Sequence, residues 1–274
     1  MLEALKSHWP EYLTEACGLA GFIVGASLLT TLLEHPDSPV QHMMGQQPLL
    51  RRVPLGIIMG AYIAATVYSP WGKRSGAHVN PAVTVSFLWL GKIKPWDALF
   101  YMLAQFAGAI LAAQVMARSL GKLYSHPSIH YVTTIPGAGA GAGATARAFT
   151  AEFIISFILM FVVLVAINST HLERFAGLFA GLLIGTYLIV EAPYSGMSLN
   201  PARSFGSALA ARHWLDLWIY FTAPPLGMLL AAEAYRWLRR GQQIACAKLH
   251  HRNDQRCIFC DHKAAPDYPN ETAA

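Results

Sequence analysis

The sequence predicts an all-α membrane protein, with six transmembrane helices and two shorter re-entrant half-helices related by an inverted repeat. Three observations lead to that prediction. Apolar residues make up 54% of the 274-residue chain and charged residues only 13%, about half the charged share of a soluble domain. Six apolar stretches reach spanning length while two others stop near half of it, and the second half of the chain repeats the pattern of the first. A soluble fold of this size has too little interior to hide so much apolar surface, whereas in lipid apolar side chains can face outward. The mean hydropathy is +0.37.

The spanning segments are read at 12–33, 50–69, 96–117, 148–168, 174–192 and 214–238, each near the ~20 residues that cross a ~30 Å hydrocarbon core. An even number of spans puts both termini on one side. The connections on that side carry Lys6, Lys73, Arg74, Lys92, Lys94, Arg174 and seven Lys or Arg after residue 235; the others carry Arg51, Arg52, Arg118, Lys122, Arg147, Arg203 and Arg212. The bias places both termini in the cytoplasm.

The two short stretches, 80–90 and 200–210, both open on Asn-Pro-Ala. Asn is a favoured N-cap and Pro a favoured first helical residue. Eleven residues make a helix of about 16 Å, half a membrane. Such half-helices are tolerated where they are packed in protein and line a cavity. The connection 120–147 holds Pro127, Pro136 and the run GAGAGAGATA at 137–146, and that run is read as a flexible loop without chemistry of its own.

The repeat is visible in pairs. Glu15 and Glu152 stand near the starts of spans one and four. Asn80 and Asn200 follow spans two and five. Gly108 and Gly227 come 28 and 27 residues after those Asn. Three spans per half give the halves opposite orientation, and a broken segment in each predicts one pore where the two half-helix N-termini meet. The domain reading is a channel body over 1–240, with repeats at about 10–119 and 147–240, followed by a basic tail, 241–274.

Other classes find no support in the residues. The net charge of +5 is concentrated in the tail, with no basic stripe interleaved with aromatics, so no nucleic-acid partner is expected. There is no Ser-His-Asp set, phosphate loop or cofactor motif, and no enzyme is expected. Four cysteines, three of them in the tail, do not suggest a disulfide framework. The first apolar run reads as a true span rather than a cleaved signal.

The segment Ser75-Gly76-Ala77-His78-Val79-Asn80-Pro81-Ala82-Val83-Thr84 resembles the first signature of the aquaporins, the major intrinsic protein family. Ser195-Gly196-Met197-Ser198-Leu199-Asn200-Pro201-Ala202-Arg203-Ser204 resembles the second. The resemblance covers about residues 10–240. It implies a passive channel for water that excludes protons and ions, or for glycerol or another small neutral solute. It also implies a homotetramer with one pore per subunit in the cell membrane. An ion-coupled transporter and a structural membrane protein with a pore-like fold are the competing classes. Physically, each half-helix N-terminus carries about half a positive charge, and two such ends facing each other repel cations. This electrostatic barrier is a known property of aquaporin-type pores. Asn80 and Asn200 are expected to cap these ends and keep their NH₂ groups free for a passing oxygen.

The resemblance places Arg203 in an outer constriction with Met197, Met59 and Leu188; a one-residue slip would substitute Gly60 and Tyr187. Neither choice supplies the aromatic and His of water-selective relatives. Ser204 stands where glycerol facilitators carry an acid, which favours water. The resemblance also gives Gly76, Ala77, His78, Gly196, Met197 and Ser198 backbone carbonyls that line the pore. His78 is read as a packing residue or a pH-responsive one. Glu15 and Glu152 are read as scaffold for the half-helix loops, and Glu191 as solvated. In the tail, Cys257-x-x-Cys260 has ligand spacing, and Cys246 with His250, or alternatively His251 or His262, completes a set suited to Zn²⁺.

Overall fold

The computed structural model describes residues 1–45, 47–137, 143–239 and 244–260. The first repeat consists of α1 (Leu2–Glu34), α2 (Pro48–Tyr68), the half-helix α3 (Pro81–Trp89) and α4 (Pro95–Leu120). The second consists of α5 (Ala144–Ile167), α6 (Ala176–Val190), the half-helix α7 (Pro201–Ala211) and α8 (Leu217–Leu238). Six of these are long and apolar enough to cross a membrane. Proline opens α2, α3, α4 and α7, where its missing N–H removes no helical hydrogen bond.

One expectation about extent needs correction. α1 begins at Leu2, not near 12, because its polar first turns are tied to α4. Asp97 accepts from Tyr12 Oη at 2.6 Å and pairs with His8 Nδ1 at 2.7 Å. Ahead of the Gly/Ala run, the connection forms a short helix, Lys122–Ser125, and a 3₁₀ turn, His130–Val132. Tyr124 and Ile129 are buried beneath it, and Gly137 N donates to Tyr194 O at 2.9 Å. Of the Gly/Ala run, 138–142 lie outside the described residues and 144–146 belong to α5.

Helices pair by bringing backbones together at glycine. A Cβ added to Gly56 would lie 2.5 Å from Gly185 O, and one on Gly60 would lie 2.5 Å from Gly181 O. These small-xxx-small faces of α2 and α6 join the two repeats. Within each repeat the same device recurs. Gly108 of α4 rests on the Ala16 carbonyl of α1, and Gly227 of α8 on the Phe153 carbonyl of α5. Each accepting residue directly follows one of the buried glutamates, so helix crossing and loop support share one level of the bundle. Leu28, Ile57, Leu111, Leu182 and Leu230 point outward and are exposed, as lipid-facing residues are.

Filling the α2–α6 crossing should be costly. Gly60→Leu is expected to destabilise the fold by about 1–3 kcal/mol through overpacking, while Ile57→Ala on the outer face stays close to the parent. Thermal unfolding in detergent, followed by tryptophan fluorescence, checks the pair; equal midpoints would mean that this crossing is not tight.

Candidate functional site: a lumen between two half-helices

The half-helices meet end to end inside the bundle. Asn80 Oδ1 caps α3, accepting from Ala82 N at 2.9 Å, and Asn200 Oδ1 caps α7, accepting from Ala202 N at 3.1 Å and Arg203 N at 3.2 Å. Pro81, Ala82, Pro201 and Ala202 form the buried first turns. The caps are as expected, but the amides are less free than the sequence suggests. Asn80 Nδ2 donates to Leu199 O and Asn200 Nδ2 to Val79 O, both at 2.8 Å. An amide NH₂ has two protons, so each Asn locks one across the repeat axis and keeps one for the lumen.

The loops that deliver these caps are strained. Gly76 and Gly196 adopt left-handed φ of 95° and 80°, and Ala77, Val79, Met197 and Leu199 follow at 56°, 41°, 49° and 59°. For residues with a Cβ such angles are rare, and for β-branched Val79 the more so; each costs about 1–3 kcal/mol. Glu15 and Glu152, both 0% exposed, hold them. Glu15 accepts from Ser75 Oγ (2.8 Å), His78 N (3.0 Å), Val79 N (2.5 Å) and Gln105 Nε2 (2.8 Å). Glu152 accepts from Ser195 Oγ (2.7 Å), Ser198 N (2.6 Å) and Leu199 N (2.8 Å). Glu191, read from sequence as solvated, is only 5% exposed and lies 2.5 Å from the same Ser195 Oγ, whose single proton the two carboxylates share. Sequence reasoning missed Ser75 and Ser195, and also Tyr101 and Tyr220, whose hydroxyls donate to the Ser75 and Ser195 carbonyls. The repeat carries the signal for both pairs: each Ser opens its signature, and each Tyr precedes its crossing glycine by seven residues.

The lumen is a cavity of about 70 Å³; a single water needs on the order of 10–15 Å³, so the space suits a short file of small molecules. One side presents Ala77, His78, Asn80, Met197, Ser198, Asn200 and Arg203; the other is apolar, with Ile63, Leu159, Met160, Val163 and Ile184. Arg203 is 7% exposed, and its Nη1 has no hydrogen-bond partner among the described residues. It also borders a second cavity of about 10 Å³ beside Tyr124, Tyr131 and Ser207, so it stands between the lumen and the face opposite the termini. Met59 and Leu188 are the residues expected beside it. Both are buried one turn beyond Ile63 and Ile184, on the same helix faces. Gly60 instead faces α6, and Tyr187 is buried with its hydroxyl unpartnered among the described residues. Gly76 turns its carbonyl to the tail, and Gly196 packs on the backbone of Thr134 and Ile135.

At the terminal face, the tail residues 244–260 fold into the mouth of the lumen. Leu249 lines the cavity, and its N–H donates to Gly76 O at 3.2 Å. His78 Nε2 meets Ala247 O at 2.7 Å and Nδ1 meets Thr84 Oγ1 at 3.1 Å; a carbonyl only accepts, so the proton is on Nε2. The His78 ring stacks on Phe87 and Phe259, at 5.0 and 5.6 Å between centroids. Of the expected metal ligands, Cys246, Cys257 and Cys260 come together, but the histidine with them is His251. His250 lies against the Tyr68 ring instead, at 5.4 Å between centroids. His262 lies outside the described residues. The Cys246 hydrogen bond pulls the Cys257 thiol well below the usual range, with the His251 hydrogen bond and the Lys248 charge acting in the same sense.

The glutamate scaffold gives a direct expectation. Glu152→Gln retains the shape but turns an amide donor toward the Ser198 and Leu199 N–H groups, leaving a buried donor unmet at about 1–3 kcal/mol. Its unfolding midpoint should fall below that of the parent, and so should its solute flux. An unchanged midpoint by circular dichroism would remove Glu152 from the support of the loop.

The major intrinsic protein family model matches residues 6–235. The chain is 35% identical to Aquaporin NIP1-1 of Zea mays over 186 residues, 68% of this chain and 62% of that protein. It is 35% identical to Aquaporin NIP2-1 of Oryza sativa subsp. japonica over 213 residues, 74% and 68% of the two chains. The chain spans about six tenths of the length of the Zea mays relatives it matches. The X-ray structure of the aquaglyceroporin from Plasmodium falciparum superposes with a TM-score of 0.67 at 21% identity, covering 84% of this chain and 96% of that one. A single lumen between two Asn-capped half-helices, in a bundle of this fold and this sequence likeness, makes the chain a member of the major intrinsic protein family.

Proposed function

We propose that the chain is a passive membrane channel for water that excludes protons and metal cations. The observation that carries this reading is the meeting of both half-helix N-termini at one narrow lumen, with Arg203 in its wall. Two helix ends of about half a positive charge each and a permanent guanidinium oppose any cation. The one remaining N–H of each Asn donates to a passing oxygen and orients it, which interrupts a proton relay. No carboxylate lines the lumen among the described residues, which weighs against an ion-coupled transporter. Both termini are placed in the cytoplasm by the Lys and Arg distribution. A homotetramer in the cell membrane is the assembly that the family suggests.

Glycerol or another small neutral solute is the second reading. The apolar wall of Leu159, Met160, Val163 and Ile184 suits a carbon skeleton facing away from the donors. Water is preferred because Ser204, at the position that bears an acid in glycerol facilitators, is tied to Ser198 and Thr134 at 2.6 Å each and takes no part in the lumen.

Stopped-flow light scattering on proteoliposomes separates the two, using the full chain and a chain ending at Arg239 so that the mouth is also tested uncovered. Water flux without glycerol flux supports the first reading; the reverse supports the second. Proton or Na⁺ current that tracks solute flux would overturn both. Arg203→Val should admit cations before water flow declines, and an unchanged profile would take Arg203 out of the barrier. Met197→Cys should create a Hg²⁺ block absent from the parent, since residue 197 lines the lumen.

A further inference from the structure

The sequence C-terminal to α8 does more than end the chain. Residues 244–260 enter the lumen mouth as a folded loop with two arms. The incoming arm carries Cys246, Ala247 and Leu249; the returning arm carries Cys257, Ile258 and Phe259, and all but Phe259 are buried. The loop engages the groups a permeating molecule would meet: Leu249 N takes the Gly76 carbonyl, Ala247 O takes His78 Nε2, and Phe259 covers the His78 ring. It is also anchored at its rim, by Ala245 N on Asn168 Oδ1 at 2.7 Å and Arg252 on Glu173 at 2.7 Å.

The four ligand atoms of Cys246, His251, Cys257 and Cys260 lie within 4.8 Å of one another. Cys246 Sγ is 3.4 Å from Cys257 Sγ and 3.9 Å from Cys260 Sγ, and Cys260 Sγ is 3.9 Å from His251 Nε2. Zn–S bonds of about 2.3 Å and a Zn–N bond of about 2.0–2.1 Å give a tetrahedron with edges of about 3.5–3.8 Å, close to these separations. A disulfide needs about 2.0 Å between sulfurs. The donor set, three thiolates and an imidazole, is soft and suits Zn²⁺ rather than Mg²⁺ or Ca²⁺. With a divalent ion it bears one net negative charge. Lys248, 0% exposed inside the same loop, supplies the compensating cation and ties the arms by donating to Arg256 O at 2.7 Å.

We propose that residues 246–260 are a metal-held plug: Cys246, His251, Cys257 and Cys260 bind one Zn²⁺-like ion, and the loop this ion fastens closes the lumen mouth on the terminal face. The ligands come from both arms, so the ion cross-links the turn that carries Leu249 and Phe259 into the mouth. Without the ion, the arms keep the Lys248 and Asn253 hydrogen bonds and their packing but lose the central cross-link, and the mouth opens. The binding half of the proposal stands on the side-chain geometry alone; the closure half rests on the channel reading.

The experiment uses full-length protein purified under reductant, without chelator. Elemental analysis should find about one Zn²⁺ per chain, and the paired variant Cys257→Ser/Cys260→Ser should lose it. Replacement by Co²⁺ should give the intense visible absorption of a tetrahedral thiolate site. Sub-stoichiometric metal, a pale octahedral Co²⁺ spectrum, or a Cys246–Cys257 disulfide surviving reductant would each overturn the binding half. In proteoliposomes, the Zn²⁺-loaded chain should pass water several-fold more slowly than the same chain treated with a membrane-permeant chelator, and Phe259→Ala should be fast in both states. Equal rates with and without metal, while the chain ending at Arg239 conducts, would overturn closure and leave the channel reading intact. If that shorter chain passes neither water nor glycerol while the metal data hold, the channel reading fails and the metal site remains.

Discussion

The pore depends on two carboxylates that never reach it. The half-helix N-termini point at the lumen only because six residues before the caps, three in each repeat, take left-handed backbone angles, and such angles do not persist unless the surroundings impose them. Glu15 and Glu152 impose them by accepting from the very N–H groups that the turn has exposed. In lipid those donors have no water to satisfy them, so the carboxylates act both as geometric clamp and as hydrogen-bond sink. Gln105 holds the Glu15 carboxylate, while Tyr101 and Tyr220 fix the two loops from behind. Remove the clamp, and the Asn caps, the loop carbonyls and Arg203 lose their common frame.

Much of this is legible in the residues because the inverted repeat writes each message twice. Six spans, two half-helices, the Asn caps and the paired glutamates all recur at matching offsets, and a pattern that recurs is hard to misread. Features present once are harder. Nothing in Ile63 or Ile184 marks them from sequence as lumen wall. Glu191 reads as wet because it ends a helix, yet it lies beside Glu152 with Ser195 between them. The order of the segment 121–137 leaves no mark in its local propensity, because it comes from Tyr124 and Ile129 packing beneath it.

The tail shows the same limit in sharper form. Spacing singles out Cys257 and Cys260 as a ligand pair, but adjacent histidines cannot be distinguished by spacing. The folded course of the loop decides between them, turning His250 to Tyr68 and His251 to the sulfurs. That the loop sits in the mouth is likewise unreadable, since its contacts with Gly76 and His78 join residues about 170 positions apart and follow no local rule.

The reciprocal bonds between the two caps also set an order of assembly. Asn80 Nδ2 finds its acceptor 119 residues later in the chain, and Val79 O finds its donor 121 residues later. A chain made from its N-terminus therefore completes α1 to α4 while the centre of its first loop still lacks both partners. Those groups must wait, wetted or misplaced, until α7 arrives from the second half. The centre of the lumen therefore cannot form while only the first repeat exists, and neither repeat holds a complete set of cap contacts on its own.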